Sequence, residues 1–570
     1  MKNMLDGGEA IVEALRALKV DYVFSSPGSD WGALWEAFAR QKVNNTPGPE
    51  YVSCGHETLA VNLAMGHTFF TGRMQAVVLH TGVGLLQGSL GIDAARKLGL
   101  PMIIFSSEAL TYGEKPGFDP GQQWVSTLNT VGGPQRLVEP IVKWASPAIT
   151  TDNLYEMIVR AGELAQQTPM GPVYINVPIE TTLHEWTPPK TPRKVVKAVP
   201  PQAPASEIER VAKLLLAAEL PVIVTEGAGR QAEGYRALVE LAETLAIPVV
   251  EPFPTEVANF PKDHPLHQGP TIQPMADQAD LVLVVRSRVP WYPPRNKPPR
   301  ATIVVLDETP VRDTMVYQNI PADITLEGDV VHSLKMLTAA AKAGKSDAAK
   351  VKARRDKCEA VHAKRLDDNR RHDAEAATKP TISSVWLCHV LNEMLPQDTI
   401  FVDETITYRR STIQHLNWRG PQSCFRIGGG LGQGFGTAIG LKFAAPQRTV
   451  AWVVGDGAFL YNPLPQSLGL AKHRNLPILI VVLNNTGYDS MGKEHQAWYP
   501  DGVAAKNDLF YGRPITDFDY AELAKPFGGF GRKVEKPAEV KPAIQEALAA
   551  LKSGKTAILN FMVDRIESIR

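Results

Sequence analysis

Short, wholly apolar runs alternate with stretches of helical period along residues 8–185, and four of those runs close on small or polar residues: YVFSSPG, AVVLHTG, PMIIFSS and VYINVP. Apolar runs of this kind, bounded by turn residues, predict strands covered on both faces. With amphipathic helices between them they predict a parallel α/β sheet. The same alternation returns twice. PVIVTEG (221–227), IPVVEP (247–252), LVLVVRS (281–287) and TIVVLDE (302–308) mark a second set of strands, and TIFVDE, VAWVVGDG, PILIVVLNN and AILNFMV mark a third. The predicted fold class is α/β, with three consecutive parallel-sheet domains at 1–185, 207–338 and 381–570. A Pro- and Lys-rich stretch, which continues neither helix nor sheet comfortably, places a linker at 186–206. Residues 339–380 are nearly free of large apolar side chains and predict an exposed, largely helical, charged connector.

One stretch does more than alternate. In VVGDGAFLYNPLPQSLGLAKHRNLPILIVVLNNTGY (453–488) an apolar strand ends in Gly455-Asp456-Gly457 and a helical stretch follows. A still more apolar strand then ends in Asn484-Asn485-Thr486-Gly487. Parallel strands joined by one crossover helix present their C-terminal ends at the same sheet edge, where open α/β sheets bind ligands. Asp456 and Asn485 then converge as hard oxygen ligands suited to Mg²⁺ or Ca²⁺. Gly455 and Gly457 let the backbone approach closely, and the helix that starts beside Ala458 offers its N-terminus to an anion. A divalent cation beside a helix N-terminus is a diphosphate site. Two unrelated strand-end turns are the plain alternative; a GDG followed by a strand-end NN at this separation sets it aside.

A second stretch raises a question of charge. YVSCGHETLAVNLAMGH (51–67) reads as a small-residue apolar helix with Glu57 at its head. A buried, unpaired carboxylate is costly, so the simplest account is a solvent-facing glutamate favoured by the helix dipole. The diphosphate signature elsewhere in the chain favours a functional carboxylate instead. CFRIGGGLGQGFGTAIGLKFA (424–444) crowds glycines around Leu431, which by itself means a flexible loop.

Composition narrows the classes. The 570 residues carry 60 basic and 60 acidic side chains, so no cationic excess is available for phosphate neutralisation and no nucleic-acid partner is expected. MKNMLDGGEA lacks the apolar core of a signal peptide and no apolar run is long enough to span a bilayer, so no membrane is expected. Cys54, Cys358, Cys388 and Cys424 lack metal-ligand spacing and suit free thiols in a reducing cytoplasm, the expected location.

The GDG and NN arrangement closely resembles the signature of thiamine-diphosphate enzymes of the acetolactate synthase and benzoylformate decarboxylase kind, over essentially the whole chain. The resemblance implies a pyrimidine-binding domain at 1–185, a central domain at 207–338 and a diphosphate-binding domain at 381–570. It implies thiamine diphosphate and Mg²⁺ (or Ca²⁺), the metal held by Asp456, the Asn485 side chain and the Gly487 carbonyl, with Gly455, Gly457 and Ala458 at the cofactor. Glu57 would hydrogen-bond N1′ of the aminopyrimidine and push it toward the imino tautomer that deprotonates thiazolium C2. An apolar setting strengthens that bond. Leu431 would wedge the two rings into a bent V, and the Gly429 carbonyl would accept from the 4′-amino group. Thr405 and Thr407, in ETITY at another strand end, are diphosphate contacts or plain turn residues. The chain is slightly longer than such relatives around YNPLPQSL, where an altered loop is expected. Glu57 and GDG would come from different subunits, making a homodimer the smallest active unit and a homotetramer the expected assembly.

Two turns bear on the reaction. SSPGSDW (25–31) resembles the PGS turn of benzoylformate decarboxylases, whose serine contacts the substrate carboxylate, and VVLHTGVG (77–84) resembles their LHS turn, whose histidine transfers protons. Those residues are Ser29 and His80 here, and a histidine suits the role because its pKa lies near working pH. An ordinary turn serine and a strand-end histidine bonded to backbone are the plain alternatives. VRSRVPWYPP (285–294), where those decarboxylases place a second histidine, has none, and the paired-histidine motif of pyruvate decarboxylases is absent. Asp489, Ser490, Met491 and Glu494 follow NNTGY on the substrate side and do not favour an aryl pocket; Gln122 and Gln123 fall near the family's substrate-side glutamine. The expected enzyme is a 2-oxo acid decarboxylase or carboligase working through a C2 ylid and an enamine. An acetolactate-synthase-like transferase with bound FAD, a lyase acting on acyl-CoA or acyloins, and a non-catalytic homologue are the alternatives. EGAGR (226–230) alone is too weak a signal for FAD or another nucleotide to be expected in the central domain.

Overall fold

A computed structural model describes residues 5–114, 118–318 and 320–565. Its three parallel sheets carry the three apolar alternations. The first contains β1 (Tyr22–Ser26), β2 (Glu50–Ser53), β3 (Gln75–Leu79), β4 (Met102–Ser106), β5 (Trp144–Pro147) and β6 (Pro172–Asn176), in the order β2-β1-β3-β4-β6-β5. The second contains β7 (Pro221–Thr225), β8 (Val249–Val250), β9 (Leu281–Val285), β10 (Thr302–Asp307) and β11 (Ile324–Glu327), in the order β11-β10-β9-β7-β8. The third contains β12 (Ile400–Glu404), β13 (Cys424–Arg426), β14 (Val450–Gly455), β15 (Leu479–Asn484), β16 (Phe530–Val534) and β17 (Ala557–Met562), in the order β13-β12-β14-β15-β17-β16. All neighbouring strands pair in parallel.

Apart from β8, which ends the second sheet, strands announced by the apolar pattern fill the sheet interiors, and β3, β4, β6, β7, β9 and β15 are buried along their whole length. The five that the pattern does not announce, β2, β5, β11, β13 and β16, all lie at sheet edges. Polar side chains such as Glu50, Glu327, Arg532 and Lys533 break up their apolar signal, as edge strands commonly require.

The chain divides into two compact units. One comprises the residues up to Val199 together with Gly428–Ala444 and Pro463–Leu470; the other comprises Pro200–Ile427, Ala445–Asn462 and the residues from Ala471 onward. In the first unit the helix Glu57–Thr71 packs on the helix Gly434–Ala444 with backbone nearly touching backbone. A Cβ at Gly440 would lie 3.0 Å from both His67 N and the Leu63 carbonyl carbon, and one at Gly66 equally close to Thr437 Cα. Only glycine permits that approach.

Two elements differ from expectation in detail. The crossover after β14 is two helices rather than one, Asp456–Leu460 and Leu464–His473. Pro463 cannot donate into a continuous helix, and Asn462 folds Nδ2 back onto Ala458 O at 2.9 Å and onto Glu404 Oε2 at 3.1 Å. In the second unit the charged run forms the helix Ala348–Ala377, capped by Asp347. It is not wholly solvated, because Arg354, Cys358, His362 and Ala376 are buried. Arg354 donates to Ala218 O at 2.9 Å and Leu245 O at 2.5 Å, satisfying carbonyls at the ends of the helices Ala205–Ala217 and Ala232–Leu245. All four cysteines are buried free thiols, and no helix among the described residues is long and apolar enough to cross a membrane.

Candidate active site

In the second unit, β14 and β15 run side by side, with Gly455 paired to Leu483, so Asp456 and Asn485 emerge at adjacent strand ends. Asp456 is buried, accepting from Gly457 N at 2.8 Å and from Gly487 N at 3.0 Å. Burial raises its carboxyl to about 6, against the pull of those backbone amides. Asn485 is also buried, and its Oδ1 has no hydrogen-bond partner among the described residues. The Tyr408 phenol, hydrogen-bonded to the Asn485 side chain, takes up the other end of the amide and itself donates to Asp564 O at 2.9 Å. An orphaned buried oxygen is costly unless something fills it. A hard cation between this oxygen and the Asp456 carboxylate would satisfy both. The donor set therefore fits the expected metal. No cluster of three or more His, Cys, Asp or Glu suited to a metal occurs among the described residues.

Neighbouring residues hold this edge in shape. A Cβ on Gly457 would meet Tyr488 Cδ1 at 2.6 Å and its Cε1 closer still, so the loop admits no side chain there. Ala458 is buried in the short helix Asp456–Leu460, and Gly455 caps its start. Thr486 takes a left-handed φ of 59°, and its amide donates to Asn484 Oδ1 at 2.9 Å. Thr405 is buried with its hydroxyl donating to Asp403 at 2.6 Å, while Thr407 is half-buried. Asp489 begins the helix Asp489–Trp498, buried against Arg513 Nε at 3.0 Å; Ser490 is half-buried, and Met491 and Glu494 are exposed. Glu226 of EGAGR accepts from Ser287 Oγ at 2.6 Å and Val289 N at 2.7 Å, which ties together loops of the second sheet.

The first unit carries the remaining candidates. Glu57 is the first residue of its helix, half-buried, and without a hydrogen-bond or ion-pair partner among the described residues. Its side chain faces the first turn of the helix Thr81–Leu98, where a Cβ on Gly84 would lie 3.2 Å from Glu57 Cγ. The glycine run is a specific backbone path, because Gly429, Gly430 and Gly432 hold φ values of 94°, 141° and 96°. Asn62 Nδ2 reaches Gly432 O at 3.4 Å, and Leu431 is half-buried. Ser29 is exposed at the start of the turn Ser29–Trp31 after β1, and His80 is half-buried at the end of β3. β1 and β3 are neighbours, so the two share one sheet edge. Gln122 and Gln123 are exposed just before the turn Trp124–Leu128.

Sequence reasoning missed Asp30, whose Oδ1 lies 2.9 Å from His80 Nδ1, and Tyr408, the partner of Asn485. No spacing rule connects Asp30 to a histidine fifty residues on. Tyr408 is visible in ETITY, yet nothing in that string says where its hydroxyl points.

Comparison with known proteins covers all three sheets. Residues 5–130 match the N-terminal TPP binding domain of thiamine pyrophosphate enzymes, 208–337 their central domain and 407–561 their C-terminal TPP binding domain. The acetolactate synthase large subunit of Haemophilus influenzae is 24% identical over 582 residues, covering 99% of this chain and 96% of that protein. A probable 2-ketoarginine decarboxylase of Pseudomonas aeruginosa is 25% identical over 550 residues, covering 92% of this chain and 88% of that one. The solved structure of a Rhodococcus jostii thiamine diphosphate-dependent 4-hydroxybenzoylformate decarboxylase superposes with a TM-score of 0.77 at 21% identity, covering 99% of this chain and 100% of its own, and shares the fold. Matched in order along nearly its whole length, the chain belongs to the thiamine pyrophosphate-dependent enzymes related to acetolactate synthases and decarboxylases.

Proposed function

We propose that the chain is a thiamine-diphosphate- and divalent-metal-dependent 2-oxo acid decarboxylase or carboligase. The observation that carries this reading is the pair at adjacent strand ends: a buried carboxylate, Asp456, and an unpartnered buried amide oxygen, Asn485 Oδ1. With the Gly487 carbonyl they would hold Mg²⁺ or Ca²⁺, and through it the diphosphate. Gly455, Gly457 and Ala458 leave room for that tail, and Thr405 and Thr407 are its further contacts. Gly429 and Leu431 would seat the rings, and Glu57 would hydrogen-bond the aminopyrimidine. Bound thiamine diphosphate supplies a nucleophilic carbon and an electron sink for a 2-oxo acid.

The chain's own side chains would do the rest. The Ser29 hydroxyl would donate to the substrate carboxylate, and His80 would hold and return a proton, the two lying just beyond the ends of neighbouring strands. Gln122, Gln123, Ser490, Met491 and Glu494 would face the substrate's variable end, and the polarity of all of them but Met491 favours an aliphatic or polar 2-oxo acid over an aryl one. A homodimer is the smallest active unit on this reading, a homotetramer the assembly, and the cytoplasm its location. The acetolactate-synthase-like reading draws support from the match over 99% of the chain; His80 favours protonation over transfer.

The test is direct. The apoenzyme is saturated with thiamine diphosphate and Mg²⁺, and a panel of 2-oxo acids is followed for CO₂ and acyloin together. Release of CO₂ with aldehyde marks a decarboxylase, acyloin marks a carboligase, and silence across the panel refutes the reaction class.

A further inference from the structure

We propose that Asp30 is a positioning residue that holds the His80 imidazole with its proton on Nδ1, leaving Nε2 as the nitrogen that exchanges protons. This rests on the reading of His80 as the proton carrier. Asp30 occupies the turn Ser29–Trp31 after β1, and His80 ends the neighbouring strand β3. Their side chains meet at 2.9 Å, Asp30 Oδ1 to His80 Nδ1, with the Asp30 side chain wholly buried and the imidazole about one-fifth exposed, at 21%. His80 Nδ1 is the one hydrogen-bond partner of Asp30 among the described residues, and Asp30 Oδ2 is buried with none. Among the described residues, no arginine or lysine pairs with this carboxylate. An ionised carboxylate only accepts hydrogen bonds, and a buried one left unpaired is costly. With Asp30 ionised, the donor in this pair is Nδ1–H, and that sets the tautomer.

The surrounding structure permits the ring few other poses. A Cβ on Gly28 would lie 2.6 Å from His80 Cγ, so the PGS glycine makes room for the imidazole to lie against the turn. Trp124 meets the ring edge-on, with centroids 5.8 Å apart and planes at 86°. Trp31, next to Asp30, donates Nε1 to Leu79 O at 3.0 Å and pins the strand end that delivers His80. Thr81, immediately after His80, holds a φ of +40°, a strained backbone for a β-branched residue, and its hydroxyl donates to Leu128 O at 3.0 Å. Of the titratable groups on the neighbouring elements, which include Glu50 and Cys54, Tyr51 interacts with Asp30, and Glu57 faces the first turn after His80. One short turn thus presents both Ser29 and the carboxylate that orients His80. Substrate contact and proton carrier are set by the same three residues.

The full-length protein, labelled with ¹⁵N-histidine and sedimented for solid-state NMR without cofactor or substrate, gives the tautomer directly; His80→Gln identifies the His80 signals by difference. The expected spectrum has a protonated Nδ1 and a bare Nε2 at neutral pH, and Asp30→Asn, whose amide can donate, erases that preference. In the loaded enzyme Asp30→Asn lowers kcat on the order of a hundredfold with KM little changed, within the range a general acid–base contributes. Ser29→Ala instead raises KM. A melting temperature for Asp30→Asn at or above the parent's separates this loss from misfolding, since a buried charge has been removed. A wild-type spectrum with the proton on Nε2, or an Asp30→Asn protein with unchanged spectrum and kcat, overturns the positioning role. Full activity in His80→Gln overturns the proton-carrier reading itself, an outcome distinct from either.

Discussion

Gly66→Ala sets two opposing effects against each other by sign. In an unconstrained helix the substitution stabilises by up to about 1 kcal/mol, because glycine surrenders more backbone freedom on folding than alanine does. Here the new Cβ would lie 3.0 Å from both Cα and the carbonyl carbon of Thr437 and nearer still to its oxygen. These are backbone atoms that cannot rotate away, so the helices Glu57–Thr71 and Gly434–Ala444 must part along their seam. Overpacking by one methyl costs about 1–3 kcal/mol. A clash this deep against backbone belongs in the upper part of that range, about 2–3 kcal/mol, so less a propensity gain of about 1 kcal/mol the net is a loss of about 1–2 kcal/mol, which at about 2–4 °C per kcal/mol lowers the melting temperature of the first unit by several degrees. Gly32→Ala is the matched control: it also lies in a helix, but nothing stands within 4 Å of the point its Cβ would occupy, so it should raise the melting temperature slightly. Thermal and urea unfolding of both full-length variants, followed by circular dichroism, reads the signs. Because Glu57 heads the displaced helix, Gly66→Ala should also weaken thiamine diphosphate binding. A Gly66→Ala midpoint at or above the parent's would refute the close backbone packing on which that loss rests.

Asp456→Ala should abolish Mg²⁺-linked thiamine diphosphate binding in calorimetric titrations, and Asn485→Ala should weaken it by about tenfold or more, roughly 1.4 kcal/mol; unchanged affinity in either removes that residue from the metal site. His67 is buried and pushed down to about 4 from 6.5. The unfolded chain gains that proton near pH 6.5 and the folded one only near 4, so stability present at neutral pH is lost across that window, on the order of 3 kcal/mol. His67→Gln should flatten the acid limb in urea unfolding between pH 7 and 4, and an equally steep limb would show that another group governs it. Mixing Glu57→Gln with Asp456→Ala protein, with subunit exchange allowed, should restore part of the activity both lack, and no recovery in proven mixed dimers counts against a shared site.

The apolar alternation and the motifs at its strand ends were legible in the chain alone, because a strand covered on both faces must be apolar throughout and a ligand-binding loop must break that run. VVGDG and LNNTG are conspicuous for that reason. Edge strands such as β2 and β16 were hidden, since one side of an edge meets water and its residues lose the pattern. The glycines of IGGGLGQG read locally as flexibility, yet three of them hold positive φ, and Gly436 and Gly440 of the helix behind them lie against Asn62 and Leu63. What the sequence determined by itself was therefore the fold class, the order of the domains and the placing of Asp456 and Asn485 at the ends of two apolar strands, all of which follow from local runs and spacings. What the tertiary structure alone decided was pairing: Asn485 Oδ1 left open while Tyr408 takes its amide, Asp30 buried against His80, Arg354 turned from a solvated charge into a clasp for two helix ends. Direction and partner are properties of side chains brought together across long stretches of chain, and no periodicity along that chain records them.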